Sequence, residues 1–296
     1  MTDLPTNSTF FAGSRLLLVQ DPEKGIEFNV LVQYPTTEAA HPVAFGPYVM
    51  EVSPDAPVAA GLHPLVLVSH GSGGSHLLYR TVTLHLARHG YIVAMVEHYG
   101  NNRNDNHLES SEENLILRPR HLKLAADAVC ADPEFGGHVD AANIAVIGHS
   151  MGGFAALALA GGTARTREAK RIETIADPRV GALVLLAPAA GWFYQGLEKV
   201  TAPMLVLTAG HDPYTPPAGI RQVLEGVGDP SKVIHRTIAN AGHFSFLSPF
   251  PPTLTRPDFL PSTDPPGFDR EKLHAELPGV ILSFLEKAME GILSNK

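Results

Sequence analysis

The sequence predicts an α/β fold in which a mostly parallel central sheet, opened by an antiparallel N-terminal hairpin, carries helices on both faces. Two observations lead there. Near the start, the apolar segments 15–20 and 26–34 flank Asp21-Pro22-Glu23-Lys24-Gly25, a run of turn formers, and read as a hairpin. From residue 64 onward, short uninterrupted apolar runs alternate with helical stretches, the pattern of parallel strands buried on both faces by crossover helices.

In chain order, residues 26–34 alternate in polarity and are expected to form a half-exposed edge strand. Residues 35–63, rich in Pro and Ala, read as an irregular arm with a short strand at 48–52. A strand at 65–69 leads into a Gly-rich loop at 70–75, a helix at 77–89 and a strand at 92–96. Polar residues 98–117 form a long insertion, followed by a helix at 120–131, a strand at 143–148 and a helix at 150–161. Strands at 180–187 and 204–209, a helix at 217–226, a strand at 233–239 and an amphipathic helix at 269–290 complete the chain. All 296 residues are expected to form one domain, with 1–63 as its hairpin and arm. The insertion 98–117 and the Pro-rich segment 247–267 flank the carboxyl ends of the strands and are candidate lid or pocket loops.

Composition narrows the function classes. The 22 basic against 30 acidic residues, without a Lys/Arg-rich block, argue against nucleic acid and point to a small-molecule partner; a homo-oligomer is compatible with them. Cys130 is the single cysteine, so no intrachain disulfide forms, and its Ala-rich helical setting predicts a buried, inert thiol. The first 15 residues lack the basic and apolar regions of a secretory leader, and no run approaches the roughly 20 apolar residues of a membrane span. A soluble cytoplasmic protein is the expectation.

The chemistry is carried by residues 143–162, NIAVIGHSMGGFAALALAGG. A charge-free β-branched run and an Ala/Leu helix flank Gly148-His149-Ser150-Met151-Gly152, a G-x-S-x-G nucleophile elbow in which glycines let strand and helix close around a sharp turn. Read alone, the motif is equally a Gly-rich turn with Ser150 as helix N-cap. The decision depends on whether the chain supplies a base, an acid and a second oxyanion donor past other strand ends, where open α/β sheets place their working loops. It does. Asp212 follows the strand MLVLTAG, and His243 follows the strand VIHRTIA, giving the order Ser, Asp, His. A serine hydroxyl needs an imidazole to take its proton, and the imidazole needs a carboxylate on its other nitrogen. Ser150 is therefore the candidate nucleophile, His243 the base and then acid, and Asp212 the orienting carboxylate. The backbone N–H groups of Met151 and of Ser72, within His70-Gly71-Ser72-Gly73-Gly74-Ser75, are the candidate oxyanion donors.

Rival readings are weaker. Asp177 precedes its strand and so falls at the opposite end of the sheet. The loop at 70–75 lacks the Gly-Lys-Ser/Thr ending of a phosphate loop. His85 and His89 have the spacing of a zinc pair without its glutamate, and a solvated helix face is expected there; no metal and no cofactor are predicted. His70 and His149 are expected to hydrogen-bond backbone. Trp192, Phe193 and Tyr194 after one strand, and Phe244, Phe246 and Phe250 after His243, are candidate pocket residues.

With these residues in place the chain resembles the α/β-hydrolases, and within them the predicted dienelactone hydrolase group related to platelet-activating-factor acetylhydrolase. The likeness is carried by Phe45-Gly46-Pro47-Tyr48, PLVLVSHGSGG, Gly-His-Ser-Met-Gly-Gly, the Asp212 loop, Gly242-His243-Phe244-Ser245-Phe246 and Gly267-Phe268-Asp269-Arg270. The elbow and Trp192 are also similar to those of bacterial cutinases and polyester hydrolases. The resemblance implies cofactor-independent hydrolysis of carboxylic esters. Dienelactone hydrolases carry a cysteine nucleophile where this chain has Ser150, so their lactone chemistry is not implied. Amides, thioesters and acyl transfer to an alcohol or amine would use the same residues, and a non-catalytic ligand-binding homologue is the alternative of a different class. Without a large apolar insertion, small or medium esters are expected rather than long-chain triglycerides.

Overall fold

A computed structural model describes residues 9–293. The first eight residues of the stretch read for a leader, and the ends of the expected 1–296 domain, lie outside the described residues. The hairpin pairs β1 (Phe11–Asp21) antiparallel with β2 (Ile26–Thr36) across the Pro/Gly turn. A second hairpin, β3 (His41–Phe45) with β4 (Tyr48–Pro54), turns at Gly46, whose φ of 58° suits a residue without a Cβ. The repeating part follows: β5 (His63–Ser69), α1 (Arg80–Arg88), β6 (Ile92–Val96), α2 (Glu112–Ala131), β7 (Val139–His149), α3 (Met151–Leu159), β8 (Val180–Leu186), β9 (Met204–His211), α4 (Pro217–Gly226), β10 (Val233–Gly242) and α5 (Arg270–Leu293).

The strands form one sheet in the order β10-β9-β8-β7-β5-β6-β2-β1-β4-β3, parallel from β6 through β10 and antiparallel where β2 meets β6 and β1. Alternation within the apolar strands divides the core in two. Leu65, Leu67, Ile144, Val146, Leu183, Leu185 and Met204 face one way, with Leu122 of α2, Phe154 and Leu157 of α3 and Val223 of α4. Val66, Val68, Ala145, Ile147, Ala182, Val184 and Leu205 face the other, with Val82 and Leu86 of α1 and Ile281 and Leu285 of α5. Two buried faces are why these strands read as continuous apolar runs.

Several expectations change, and the first is that the arm read as irregular at 35–63 holds the β3–β4 hairpin. β2 is an interior strand, buried from Val30 to Thr36, because β6 pairs antiparallel along the flank that β1 leaves open; the half-exposed alternation belongs to β1, where Leu16 and Leu18 are exposed. The insertion 98–117 ends early, because α2 begins at Glu112: the Ser111 hydroxyl caps it by accepting from Asn114 N–H at 3.0 Å, with Glu112 and Glu113 in the first turn. Pro119 sits inside that helix and does not start it. His85 and His89 are half-buried, with rings 4.1 Å apart, rather than a freely solvated pair. Cys130 is half-buried, and burial raises its thiol pKa. Among the described residues no helix is long and apolar enough to cross a membrane.

Candidate active site

The parallel strands end side by side, with Ser69 of β5 paired to Gly148 of β7 and His211 of β9 to Gly242 of β10. The loops past these ends therefore meet over one edge of the sheet. Between β7 and α3, Ser150 takes φ 54° and ψ −118°, a region that costs a non-glycine residue about 1–3 kcal/mol. Its neighbours hold it there. Ser150 N–H donates to the Leu186 carbonyl at 3.0 Å, and the Ser150 carbonyl accepts from Gly153 and Ala189, each at 2.9 Å. The glycines of the elbow are needed because a Cβ at Gly152 would lie 1.9 Å from the Ser69 carbonyl oxygen, and one at Gly148 would lie 2.2 Å from that of Gly152.

Asp212 lies just past β9. Its Oδ1 accepts from the backbone N–H of Tyr214 at 2.7 Å and of Thr215 at 3.0 Å, and its Oδ2 accepts from His243 Nδ1 at 2.8 Å. Both side chains of this pair are about 95% buried, at 4% exposure for His243 and 5% for Asp212. Burial works against the Asp212 charge, but the hydrogen bonds from His243 and Thr215 outweigh it and lower the carboxyl to about 2. An ionised acceptor at Nδ1 leaves the lone pair of His243 on Nε2. Ser150 and His243 come together through the residue before the serine: His149 Nε2 lies 3.0 Å from the His243 carbonyl oxygen, and the two rings are 4.8 Å apart. Among the described residues, no hydrogen bond joins the Ser150 hydroxyl to His243. Asp177 stands apart at the start of β8, where its Oδ1 accepts from Arg179 Nε at 2.9 Å.

The loop at 70–75 and the elbow border a cavity of about 220 Å³, smaller than the roughly 300–1,000 Å³ usual for a drug-sized ligand. Gly71, Ser72 and His149 form its polar side, and Tyr48, Leu78, Phe244, Phe250 and Phe259 its apolar walls, with Arg103 the one charged group among the lining residues. Neither Ser72 N–H nor Met151 N–H has a hydrogen-bond partner among the described residues. Of the aromatic residues expected to line a pocket, Phe244 and Phe250 do so. Phe193 and Phe246 do not: Phe193 is 1% exposed and stacks on Phe154, and Phe246 is fully buried beneath the sheet, because a ring that can reach the core is held there by its apolar area. Trp192 sits edge-on to Phe154, and Tyr194 is 64% exposed; neither borders the cavity. Segment 247–267 contributes Leu247, Phe250, Phe259 and Pro261 to the cavity lining. Asp264 joins Ser245 of the histidine turn to Arg270 of α5, whose Nε donates to it at 2.9 Å.

The sequence reading missed several supporting groups. Arg118 is fully buried, with no carboxylate partner among the described residues, and burial lowers its pKa to about 9. Its guanidinium donates to the carbonyls of His70 at 2.6 Å and Gly71 at 3.2 Å, and to the Asn101 side-chain oxygen. Asn101 in turn donates to the Ser72 hydroxyl at 3.0 Å. The one signal for Arg118 was an arginine directly following the apolar run Leu115-Ile116-Leu117. His70, as expected, contacts backbone, with Nδ1 2.7 Å from the Gly71 carbonyl oxygen. Among the described residues no group of three or more His, Cys, Asp or Glu is placed to hold a metal ion.

No curated protein matches the chain. Among solved structures, it is similar to a ferulic acid esterase from Streptomyces cinnamoneus at 21% identity, with a TM-score of 0.71, covering 97% of this chain and 92% of that one. It is also similar to a dienelactone hydrolase from Anabaena variabilis at 20% identity and a TM-score of 0.53, covering 78% and 87%. These likenesses establish an α/β-hydrolase fold. The chlorophyllase family model matches residues 36–234, about two thirds of the sequence, a span that holds Ser150 and Asp212 and stops short of His243. The chain belongs to the chlorophyllase family.

Proposed function

We propose that the protein is a serine hydrolase of carboxylic esters, with Ser150 as nucleophile, His243 as base and then acid, and Asp212 as the carboxylate that orients it. The observation that carries this reading is the buried Asp212–His243 pair, 2.8 Å apart, beside a serine on a strained strand-to-helix turn. Ser150 Oγ attacks the ester carbonyl while His243 Nε2 takes its proton, and the carbonyl oxygen becomes an oxyanion facing the Ser72 and Met151 N–H groups. Collapse expels the alkoxide, which takes the proton from His243. Water then repeats the sequence and releases the acid. Asp212 stays ionised throughout, since its lowered carboxyl pKa opposes proton uptake from the imidazolium.

The cavity supports small to medium acyl or alcohol groups. Its aromatic walls also favour an aromatic group, in keeping with the named activity of the ferulic acid esterase it resembles. A fluorophosphonate probe is expected to label Ser150 in the folded protein, and p-nitrophenyl acetate and butyrate to be cleaved with higher kcat/KM than the laurate and palmitate. Absence of labelling would end the serine-hydrolase reading; a clear preference for the long chains would end the argument from cavity size.

A further inference from the structure

Tyr79, 2% exposed, places its hydroxyl where the three working loops meet. The hydroxyl lies 3.3 Å from Gly71 N and 3.1 Å from His149 Nδ1, and His149 Nε2 lies 3.0 Å from the His243 carbonyl oxygen. Elementary valence fixes the protons along this chain. A carbonyl only accepts, so His149 Nε2 carries hydrogen; burial, with His243 close by, lowers the His149 pKa to about 3, so the ring is neutral and Nδ1 is an acceptor. The single hydroxyl proton of Tyr79 therefore points to His149, and its oxygen accepts from Gly71. Donation runs one way, from Gly71 N–H through Tyr79 and His149 to the backbone of His243.

This path decides which amide of the donor loop is free. Gly71 N–H is occupied by Tyr79. On the far side of the same residue, the Gly71 carbonyl accepts from Gly74 N–H at 3.1 Å, from Arg118 Nη2 at 3.2 Å and from His70 Nδ1 at 2.7 Å. His70 donates there because its Nε2 accepts from His98 N–H at 3.2 Å. In a trans peptide the next N–H points opposite to that carbonyl, so Ser72 N–H, on the cavity lining, is turned away from these three donors.

We propose that Tyr79 is a positioning residue for acyl transfer: through His149 its hydroxyl ties the donor loop, the nucleophile elbow and the base turn into one unit. In that unit the Ser72 amide and His243 hold their placement relative to Ser150. The proposal rests on the serine-esterase reading above, and the test separates the two. Tyr79→Phe removes the hydroxyl and keeps the buried ring. Active sites of each variant are counted with a fluorophosphonate, and p-nitrophenyl butyrate turnover is expressed per titrated site. The expected result is a kcat per site lowered about 10- to 100-fold with KM within about twofold, and a parallel loss of affinity for an alkyl boronic acid that forms a tetrahedral serine adduct. A residue that merely supports the fold would lower Tm and the number of titratable sites, leaving kcat per site unchanged. His149→Asn, which breaks the same path at its link to His243, is expected to show a similar loss, and the double variant no more than the worse single one. It also decides the matter if Tyr79→Phe does not fold. A kcat per site within about twofold of wild type in the folded variants would overturn the proposal alone. Failure of the wild type to label would overturn the esterase reading, and the proposal with it.

Discussion

Replacing Ser150 with alanine is expected to lower the kcat of ester hydrolysis by about a millionfold, the scale on which removing the nucleophile disables a serine triad. The protein should keep its fold, because the Ser150 side chain caps no helix N–H and the turn is held through backbone bonds to Leu186, Gly153 and Ala189. Circular dichroism and Tm check the fold, and a sensitive p-nitrophenyl ester assay checks the rate. Residual hydrolysis above the uncatalysed reaction is expected, since the Ser72 and Met151 amides can still stabilise an oxyanion formed by water attack; donor groups and binding alone supply roughly 10³–10⁴ in such sites. A variant that retained more than about a hundredth of wild-type kcat would place the nucleophile elsewhere.

Asp212→Asn is the second large effect, an expected fall of about 10⁴ in kcat with KM little changed. The asparagine amide occupies the same space and can still face Thr215 and His243, so the loss is not one of packing. It is a loss of tautomer control: an amide that offers N–H to Nδ1 leaves the imidazole proton on Nε2, the position that must be empty to receive the serine proton. The charge that steadies the imidazolium is removed as well. Asp177→Asn is the control. Its partners are Arg179 and the backbone near β8, at the other end of the sheet, so kcat should stay within about threefold even if Tm falls. Steady-state kinetics of the two variants side by side test the acid assignment, and the reverse ranking would transfer it to Asp177.

What the sequence made legible was whatever depends on neighbours along the chain. Strand runs in the parallel region, the turn at residues 22–25, the elbow glycines and the placement of Asp212 and His243 past strand ends all follow from local pattern plus one topological rule. The start of α2 was equally local, in Ser111 with Glu112 and Glu113, but lay inside a polar stretch that reads as loop. The interior position of β2 was not local at all, because it depends on pairing with β6, a strand that comes only after the 41–54 hairpin and β5 in the chain. The pocket was the least legible part. Phe193 and Phe246 are as aromatic as Phe244 and Phe250 and as close to the working loops in sequence, yet the backbone turns the first two into the core and the others toward the cavity. Arg118 and Tyr79 lie on elements with no catalytic motif, and only the folded chain brings them under Gly71. The elbow and the triad order are shared across the superfamily, which is why they pointed to the α/β-hydrolases without singling out the chlorophyllase family.

The two halves of the proposed centre are built on ground of unequal firmness. Ser150 rises from β7, in the middle of a ten-stranded sheet with helices over both faces, whereas His243 hangs from β10, a border strand whose outer flank has no neighbour among the described residues and most of whose residues are exposed. Such borders open locally at a lower free-energy cost than the middle of a sheet. The side-chain ties from Ser245 through Asp264 to Arg270, and from His149 to the His243 backbone, brace the base against that fraying. On warming, the acid–base half should loosen before the hydrophobic core does, so the chain would become inactive while still mostly folded, and the margin between those two events is set by the braces rather than by the core.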